Sequence, residues 1–320
     1  MLFDSSQHRR LSCGALHSCR LSLLGTWGLL GMLEIWLSFY CPWSLSSLTA
    51  SRAARSPSGW HPLGIRSTWH IRSQATSNNV FYHNGPVMGQ TMTAYAIFWE
   101  PPGSQVSAGY HQLIERYFQD VGNSALYQNN RQYSDKSGQA PAGATFGGSW
   151  IDHRPYPAST LSDAQIQDEV RRALQVQGWT PSLSHMFFVF TARGENICYN
   201  YYCSFSSFCA YHGYFDQETI YAVIPYTGSD SEACGVPASP NHDRDADSSI
   251  NVTSHEQMEG ATDPLLTAWY DSQGSEIGDK CSWEFGALDA DGGNVSWNGN
   301  RYIVQEEWNN RSGGCALSGP

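Results

Sequence analysis

Met186-Phe187-Phe188-Val189-Phe190-Thr191 is one of two short, almost uninterrupted apolar runs in the chain; the other spans residues 219–226. Runs of this length that are rich in aromatic and β-branched residues indicate strands that are covered on both faces. A sheet built from such strands needs other elements packed against both of its faces.

Further strands and helices alternate along the chain around these two runs. The sequence predicts strands at residues 80–82, 91–99, 144–152 and around 297–305, and amphipathic helices at residues 107–121, 161–176 and 248–262. Strands and helices are interleaved, and there is no internal repeat. We therefore predict one mixed domain of α/β or α+β class at residues 78–320, with a central sheet, flanking helices and disulfide-bonded loops.

The first 77 residues differ in composition from the rest. Three arginines within residues 1–20 precede an apolar run at residues 21–40 that contains one acid, Glu34. A basic start followed by an apolar core is typical of a secretory signal peptide, whereas a membrane span needs roughly 20 predominantly apolar residues. We predict a signal peptide or N-terminal anchor at residues 1–41. Residues 42–77 are rich in Ser, Arg and Pro without a helix or strand period, which indicates a linker or pro-segment.

The charge balance excludes a protein that binds nucleic acid through a basic face. The chain has 18 Lys plus Arg against 29 Asp plus Glu, a formal net charge of −11. Seven of those basic residues and only two of the acids lie in residues 1–76, so the remainder carries a charge near −16. An anionic surface repels phosphate backbones and attracts cations. Membrane contact is expected only through the N-terminal segment, if that segment is not cleaved.

Cysteine usage agrees with export. Six of the nine cysteines follow residue 190, at positions 198, 203, 209, 234, 281 and 315. An even number in an exported chain predicts up to three disulfides, and the 15 full pairings stay open. The alternative is a zinc knuckle at Cys198, Cys203 and Cys209, although the gaps between them are longer than the usual two-residue spacing.

His255-Glu256-Gln257-Met258-Glu259 is the motif that indicates chemistry. Residues four apart on a helix project from one face, so His255 and Glu259 are placed to bind one ion. Imidazole nitrogen and carboxylate oxygen are both ligands of zinc, and Glu256 between them is placed to act on water as a general base. The motif predicts a metallopeptidase-like zinc site with Glu256 as its catalytic residue.

A third protein ligand would leave one coordination position open for catalysis. Asp263, four residues after Glu259, shares the stripe if the helix continues to Pro264, and Asp279 could fold back from the acid-rich segment at residues 276–281. We predict both as metal ligands. The alternative interpretation is a solvated helix face with ordinary capping and charge pairs, in which these residues are structural.

Two acidic stretches are weaker candidates for calcium. Residues 241–247 place oxygen ligands at alternate positions before the third helix, and Asp289, Asp291 and Asn294 form a second loop. The first stretch lacks the glycine and the bidentate glutamate of an EF-hand loop, which excludes that family. Otherwise it is an acidic turn in which Asp247 is the N-cap of the helix.

Three segments carry a resemblance to a known family. Tyr82–Met88 followed by Ala96–Trp99 resembles the opening signature of the phosphate-induced protein 1 family, also called EXORDIUM-like. Cys209–Gly213 is similar to that family's Cys-Gly-x-His-Gly box, with Ala in place of the first Gly, and Pro240–Asp247 is similar to its Pro-Asn-Gly-Asp segment. The matches are scattered over residues 80–305. The resemblance implies secretion to the extracellular matrix, and it implies no settled biochemical activity.

These patterns predict a secreted, divergent EXORDIUM-like protein with a zinc site of His-Glu-x-x-Glu type. Its activity would be that of a metal-dependent peptidase or hydrolase on a peptide or cell-wall substrate. The alternative is a non-catalytic extracellular or cell-wall-associated protein.

Overall fold

The computed structural model describes residues 62–66, 79–89 and 91–319. The predicted signal peptide or anchor at residues 1–41 lies outside the described residues, as does most of the predicted linker or pro-segment at residues 42–77. The boundary at residue 78 stays a prediction. Residues 62–66, within the predicted linker or pro-segment, are described and contribute a strand to the central sheet.

The strands are short except in the central sheet. In chain order they are β1 (Pro62–Gly64), β2 (Phe81–Tyr82), β3 (Thr91–Trp99), β4 (Gly143–Asp152), β5 (Leu161–Ser162), β6 (His185–Thr191), β7 (Ile197–Tyr199), β8 (Tyr202–Cys203), β9 (Phe208–Phe215), β10 (Thr219–Ile224), β11 (Trp269–Tyr270), β12 (Val295–Trp297), β13 (Asn300–Tyr302), β14 (Glu307–Asn309) and β15 (Gly314–Ala316). The helices are α1 (Tyr110–Val121), α2 (Ala125–Gln128), α3 (Asp163–Gln177), α4 (Ser231–Cys234) and α5 (Arg244–Thr262), with 3-10 turns at Asn129–Gln132, Thr227–Ser229 and Asp279–Cys281.

The central sheet has the strand order β1-β9-β10-β6-β3-β4. Strands β10, β6, β3 and β4 run parallel, whereas β9 is antiparallel to β10 and β1 is antiparallel to β9. Along β6, Phe188 and Phe190 face the core that contains α1 and α5, while Phe187 and Val189 face the core that contains α3. The prediction of strands covered on both faces is confirmed, and so is the mixed α/β class.

The two ends of helix α3 show why the position of a helix can be predicted from the sequence. Ser162 and Gln165 form the capping box that starts it, and Gly178 ends it with the left-handed φ of 68°. These end signals are local and therefore visible in the sequence. No helix in residues 62–66, 79–89 or 91–319 has the length and hydropathy that a membrane span requires.

Helix α5 begins four residues earlier than predicted, and its N-cap is Asp243 rather than Asp247. The Asp243 side chain accepts the Ala246 N–H at 3.1 Å. Asp247 lies in the first turn, where its carboxylate accepts the Ser239 hydroxyl proton at 2.6 Å. The N-cap prediction was wrong because a carboxylate earlier in the same acidic turn satisfies the free N–H groups of the first turn.

Three disulfides join the six cysteines that follow residue 190. The pairs are Cys198–Cys203, Cys209–Cys234 and Cys281–Cys315. The prediction of three disulfides is confirmed. The alternative zinc knuckle was wrong, since each of its three cysteines is bonded to another cysteine. The second bridge ties β9 to α4, and the third ties the 3-10 turn Asp279–Cys281 to β15.

Candidate metal centre

Helix α5 is buried along almost its whole length although its sequence is polar. Every residue from Ala246 to Thr262 is buried, and the side chains of His255, Glu256 and Glu259 have no exposed surface. Removing an ionised carboxylate from water costs several kcal/mol unless it is paired or bound to a metal. The partners of these three side chains therefore decide what the helix does.

The predicted pair of His255 and Glu259 comes together across one helical turn. His255 Nε2 lies 3.1 Å from Glu259 Oε1 and 4.0 Å from Glu256 Oε1. The side-chain amide of Gln305 contacts the other ring nitrogen, Nδ1, at 2.6 Å. Nε2 is therefore the nitrogen that faces the carboxylates. His255, Glu256 and Glu259 form a first group that could hold a metal ion.

The loop after α5 folds back over this motif and brings Asp279 to it. The Asp279 N–H donates to Glu259 Oε1 at 2.9 Å, and Asp279 Oδ1 lies 3.9 Å from His255 Nε2. Gly278 permits this close approach, because a Cβ at that position would lie 2.6 Å from His255 Nδ1. Asp279 is thus within reach of an ion bound between His255 and Glu259.

Asp263 lies off the stripe on which the sequence placed it. Helix α5 ends at Thr262, and Asp263 leaves the helical conformation with φ −145°. Its carboxylate accepts the N–H groups of Thr267 at 2.6 Å, Ala268 at 2.7 Å and Trp269 at 3.2 Å. The carboxylate of Asp263 therefore stabilises the turn after α5, and it is outside the metal-binding groups found in the described residues.

His212 and Glu276 join the cluster, although neither was predicted as a metal ligand. His212 Nδ1 lies 3.3 Å from Glu256 Oε2 and 3.7 Å from Glu259 Oε2, and its Nε2 lies 3.9 Å from Glu276 Oε1. His212, Glu259 and Glu276 form a second metal-binding group that shares Glu259 with the first. The sequence feature that could have indicated His212 is its position within the aromatic-rich run at residues 208–215, which forms β9.

Several polar atoms of this cluster have no hydrogen-bond partner in the described residues. They are His255 Nε2, Glu256 Oε1, Glu259 Oε2 and both carboxylate oxygens of Glu276. Within the described part of the chain these glutamates form ion-pair contacts with the two histidines and with no Lys or Arg. A buried set of acids that has no Lys or Arg partner within the described residues favours a bound cation.

Burial also raises the pKa values of the carboxyl groups in this cluster. It raises the pKa of Glu259 to about 7, against the opposing effects of His212 and the Asp279 N–H. It raises the pKa of Glu256 and Glu276 well above the usual value, and neighbouring carboxylates add to the effect. Glu307, fully buried in β14, is raised in the same way. Protons neutralise such a cluster when no cation does, and a divalent ion would displace them.

The acids proposed for calcium are bonded within the protein. Asp245 pairs with Arg193 at 2.6 Å, and Asp289 and Asp291 both pair with Arg301, at 2.6 and 2.5 Å. In the described residues neither stretch contributes to a metal-binding group. Calcium binding at either acidic stretch stays a prediction, and the ion pairs with Arg193 and Arg301 do not support it.

A third group contains Glu284, Glu306 and Cys315. Cys315 is bonded to Cys281, so it offers no thiolate. Both carboxylates are partly exposed. This group therefore has fewer usable ligands than the two groups on α5.

Two curated relatives match most of the chain. The protein EXORDIUM-like 5 of Arabidopsis thaliana is 22% identical over a match that covers 81% of this chain and 83% of the relative. The protein EXORDIUM-like 3 of the same plant is 24% identical, with 71% and 79% covered. No family model and no solved structure matches the chain. Both names agree with the resemblance in the sequence, and they support the conclusion that this chain is related to the EXORDIUM-like family.

Proposed function

We propose that this protein is an extracellular zinc-dependent hydrolase that cleaves peptide bonds at a centre on α5. The observation that carries the proposal is the cluster of buried histidines and carboxylates, with unpartnered ligand atoms and no Lys or Arg paired to its glutamates in the described residues. Three disulfides support an oxidising, extracellular location.

His255, Glu259 and Asp279 are the three ligands that we favour, with Asp279 approaching from outside the group formed by His255, Glu256 and Glu259. Two ligand atoms at about 2.1 Å from a tetrahedral zinc ion lie roughly 3.4 Å apart. The distances from His255 Nε2 to Glu259 Oε1 and to Asp279 Oδ1, 3.1 and 3.9 Å, lie on either side of that value. A mixed nitrogen and oxygen set suits zinc, because calcium prefers six to eight oxygens.

The second group is the alternative position for the ion. His212, Glu259 and Glu276 have the same donor chemistry, and both oxygens of Glu276 lack a partner in the described residues. Since Glu259 belongs to both groups, its removal is expected to abolish binding at either position. Removal of His255 or His212 distinguishes the two positions.

Gln305 would orient the His255 ring. A ligating Nε2 carries no proton, so the proton lies on Nδ1 and is donated to an oxygen. The Gln305 amide nitrogen lies 2.6 Å from Nδ1 and also donates to Gly278 O at 3.1 Å, while the amide oxygen accepts the backbone N–H of Trp283 at 3.4 Å. A half-turn that put the oxygen against Nδ1 would break both of these bonds, so metal binding through Nε2 requires Gln305 to exchange them.

Zinc at this centre supplies Lewis-acid activation of an amide carbonyl and of water. Glu256 would take the proton of the attacking water at Oε1, its oxygen without a partner in the described residues, and pass that proton to the leaving amine. His212 Nδ1, at 3.3 Å from Glu256 Oε2, would hold the carboxylate in place during this transfer.

A structural metal site in a non-catalytic protein is the second candidate. The observation that favours it is burial: His255, Glu256, Glu259 and His212 have no exposed side-chain surface, and a substrate would need an opening to reach them. A cell-wall or protein contact through another surface would then be the function.

The test compares hydrolysis of casein by the zinc-loaded wild-type protein with hydrolysis by two variants. Glu256→Gln is expected to keep its zinc and to lose at least about a hundredfold in rate, the scale of general-base catalysis. The control Glu115→Gln changes a partly exposed carboxyl on α1, which accepts the Ser149 hydroxyl at 2.6 Å, and should keep both zinc and rate. Bound zinc without any Glu256-dependent hydrolysis would favour the structural metal site instead.

A further inference from the structure

Strand β1 lies against the elements that carry His212, the His255–Glu259 motif and Asp279. It pairs antiparallel with the edge of β9, with Leu63 opposite Ala210 and Pro62 opposite Tyr211, the residue before His212. It also packs against α5 and against the 3-10 turn Asp279–Cys281. The described segment around it, residues 62–66, is only five residues long.

The segment is held by its backbone and by two apolar side chains. Leu63 and Ile65 are both buried in the core that contains Met258 and Ile277, and Leu63 is completely buried. The Trp283 indole N–H donates to Gly64 O at 2.9 Å, and the Arg66 guanidinium donates to Gly235 O at 2.9 Å. Main-chain pairing along a sheet edge together with pockets for alternate side chains is the mode in which proteins bind extended peptides.

The segment also lies against the helix that carries the proposed general base, since β1 packs against α5. The side chain of Glu256 on that helix has no exposed surface while β1 is in place.

We infer that the edge of β9 beside α5 is the binding site for an extended polypeptide substrate, and that residues 62–66 occupy this site and keep it closed. This inference rests on the proposed hydrolase function, whose substrate class and regulation it specifies. The substrate would add to β9 as an antiparallel strand, with an apolar side chain in the Leu63 pocket. It also explains why the side chains of His255, Glu256 and Glu259 have no exposed surface within the described part of the chain.

Binding of a labelled peptide tests the edge independently of hydrolysis. The probe is a fluorescent Pro-Leu-Gly-Ile-Arg peptide, measured by polarisation against the full-length wild-type protein and Leu63→Asp. The charged residue should expel β1 from its pocket, so the variant should bind the peptide at least about tenfold more tightly than wild type, whose own strand competes. A Pro-Asp-Gly-Ile-Arg peptide should bind neither protein.

Two further variants control for misfolding and for general loosening. Trp283→Phe removes the donor to Gly64 O together with part of a buried ring, and it should increase peptide binding to a smaller extent than Leu63→Asp. Trp269→Phe makes the same change where the indole donates to Ser134 O instead, and it should leave peptide binding at the wild-type level. Leu161→Asp places the same charge in the other core, away from β1, and should not increase peptide binding.

Casein hydrolysis in the same variants separates the two claims. Faster hydrolysis by Leu63→Asp and Trp283→Phe, by at least about tenfold in the first, supports both claims. Folded β1 variants that bind no peptide would overturn the inference, and Glu256-dependent hydrolysis by wild type would still support the proposed hydrolase. If the variants bind the peptide but no zinc-loaded protein hydrolyses casein, the result contradicts the proposed hydrolase. It would still support a peptide-binding site at the edge of β9.

Discussion

Two clusters of buried carboxylates lie against opposite faces of the central sheet, and they are neutralised in different ways. Beside α3, Arg154 binds both Asp152 at 2.8 Å and Glu169 at 2.6 Å, and Arg172 binds Asp152 at 2.9 Å. We call these four residues the arginine cluster. Beside α5, the glutamates of the candidate metal centre have only histidines as ion-pair partners in the described residues.

The difference lies in where the positive charge comes from. In the arginine cluster the hydrogen bonds from Arg154 and Arg172 outweigh the burial of Asp152 and lower its pKa to about 2. One oxygen of Glu169 accepts from Arg154 and the other has no partner within the described residues, and burial raises the pKa of Glu169 to about 8. The arginine cluster thus brings the cations that hold Asp152 ionised, whereas the proposed metal centre would take its cation from solution.

Removal of metal should give the largest effect, and only at the metal centre. A metal at about a thousand times its Kd stabilises the folded state by about 4 kcal/mol, which for a domain of this size is roughly 8–16 °C in Tm. Scanning calorimetry with and without a chelator should show a fall of that size, reversed by added zinc. An unchanged Tm in chelator, with metal shown to be removed, would contradict a stabilising ion.

Glu259→Ala should abolish zinc binding, because Glu259 belongs to both metal-binding groups. We expect less than about a tenth of the wild-type zinc content and a Tm that no longer responds to chelator. Glu169→Gln is the matched control in the arginine cluster, and it should retain zinc. Full zinc content in Glu259→Ala would place the ion elsewhere.

Arg154→Met should destabilise the protein without any dependence on metal. It removes a partner of Asp152 and of Glu169, and we expect a cost of about 1–2 kcal/mol, because the Arg154 side chain is 47% exposed and its pairs are partly screened. Urea unfolding measures this free energy with and without chelator. The control Arg171→Met breaks an exposed pair with Asp168 and should change stability by no more than about 0.5 kcal/mol. A loss that chelator abolishes would mean that the two clusters are coupled.

The smallest expected effect is a pH dependence of the free energy of unfolding that comes from Asp152 in the arginine cluster. The folded pKa of Asp152 lies below its unfolded value, so its ionised form contributes stability above about pH 4, and that contribution disappears as the pH falls from about 4 to 2. The free energy of unfolding of wild type should therefore exceed that of Asp152→Asn near pH 6, and the difference should shrink below pH 4. A difference that is constant over this range would show that Asp152 is not held ionised by the arginines.

Local patterns predicted the fold well. The apolar run of β6 and the end signals of α3 depend on neighbours in sequence, and both were placed correctly. Strand β9 was not predicted, since it is fixed by pairing with β10 and β1 rather than by an apolar run. Strand β1 has three residues in a stretch rich in Ser, Arg and Pro, and only its tertiary contacts make it a strand.

The residues of the candidate site differ in the same way in how well the sequence predicts them. His255, Glu256 and Glu259 follow from the helical repeat, whereas His212 comes from a strand more than 40 residues earlier and no spacing rule connects it to α5. Asp263 would share the helical face only if α5 continued, but α5 ends at Thr262 and the carboxylate turns to three N–H groups. Residues brought together by strand pairing cannot be read from periodicity along one element.

Zinc K-edge absorption spectroscopy on the purified full-length protein, with its metal content measured on the same sample, tests the metal centre most directly. We expect about one zinc per chain, with a first shell of nitrogen and oxygen at about 2.0–2.1 Å and no sulfur, because the candidate ligands are His, Glu and Asp and the six cysteines after residue 190 are in disulfides. A protein without bound metal, or zinc with sulfur ligands at about 2.3 Å, would contradict the proposed centre.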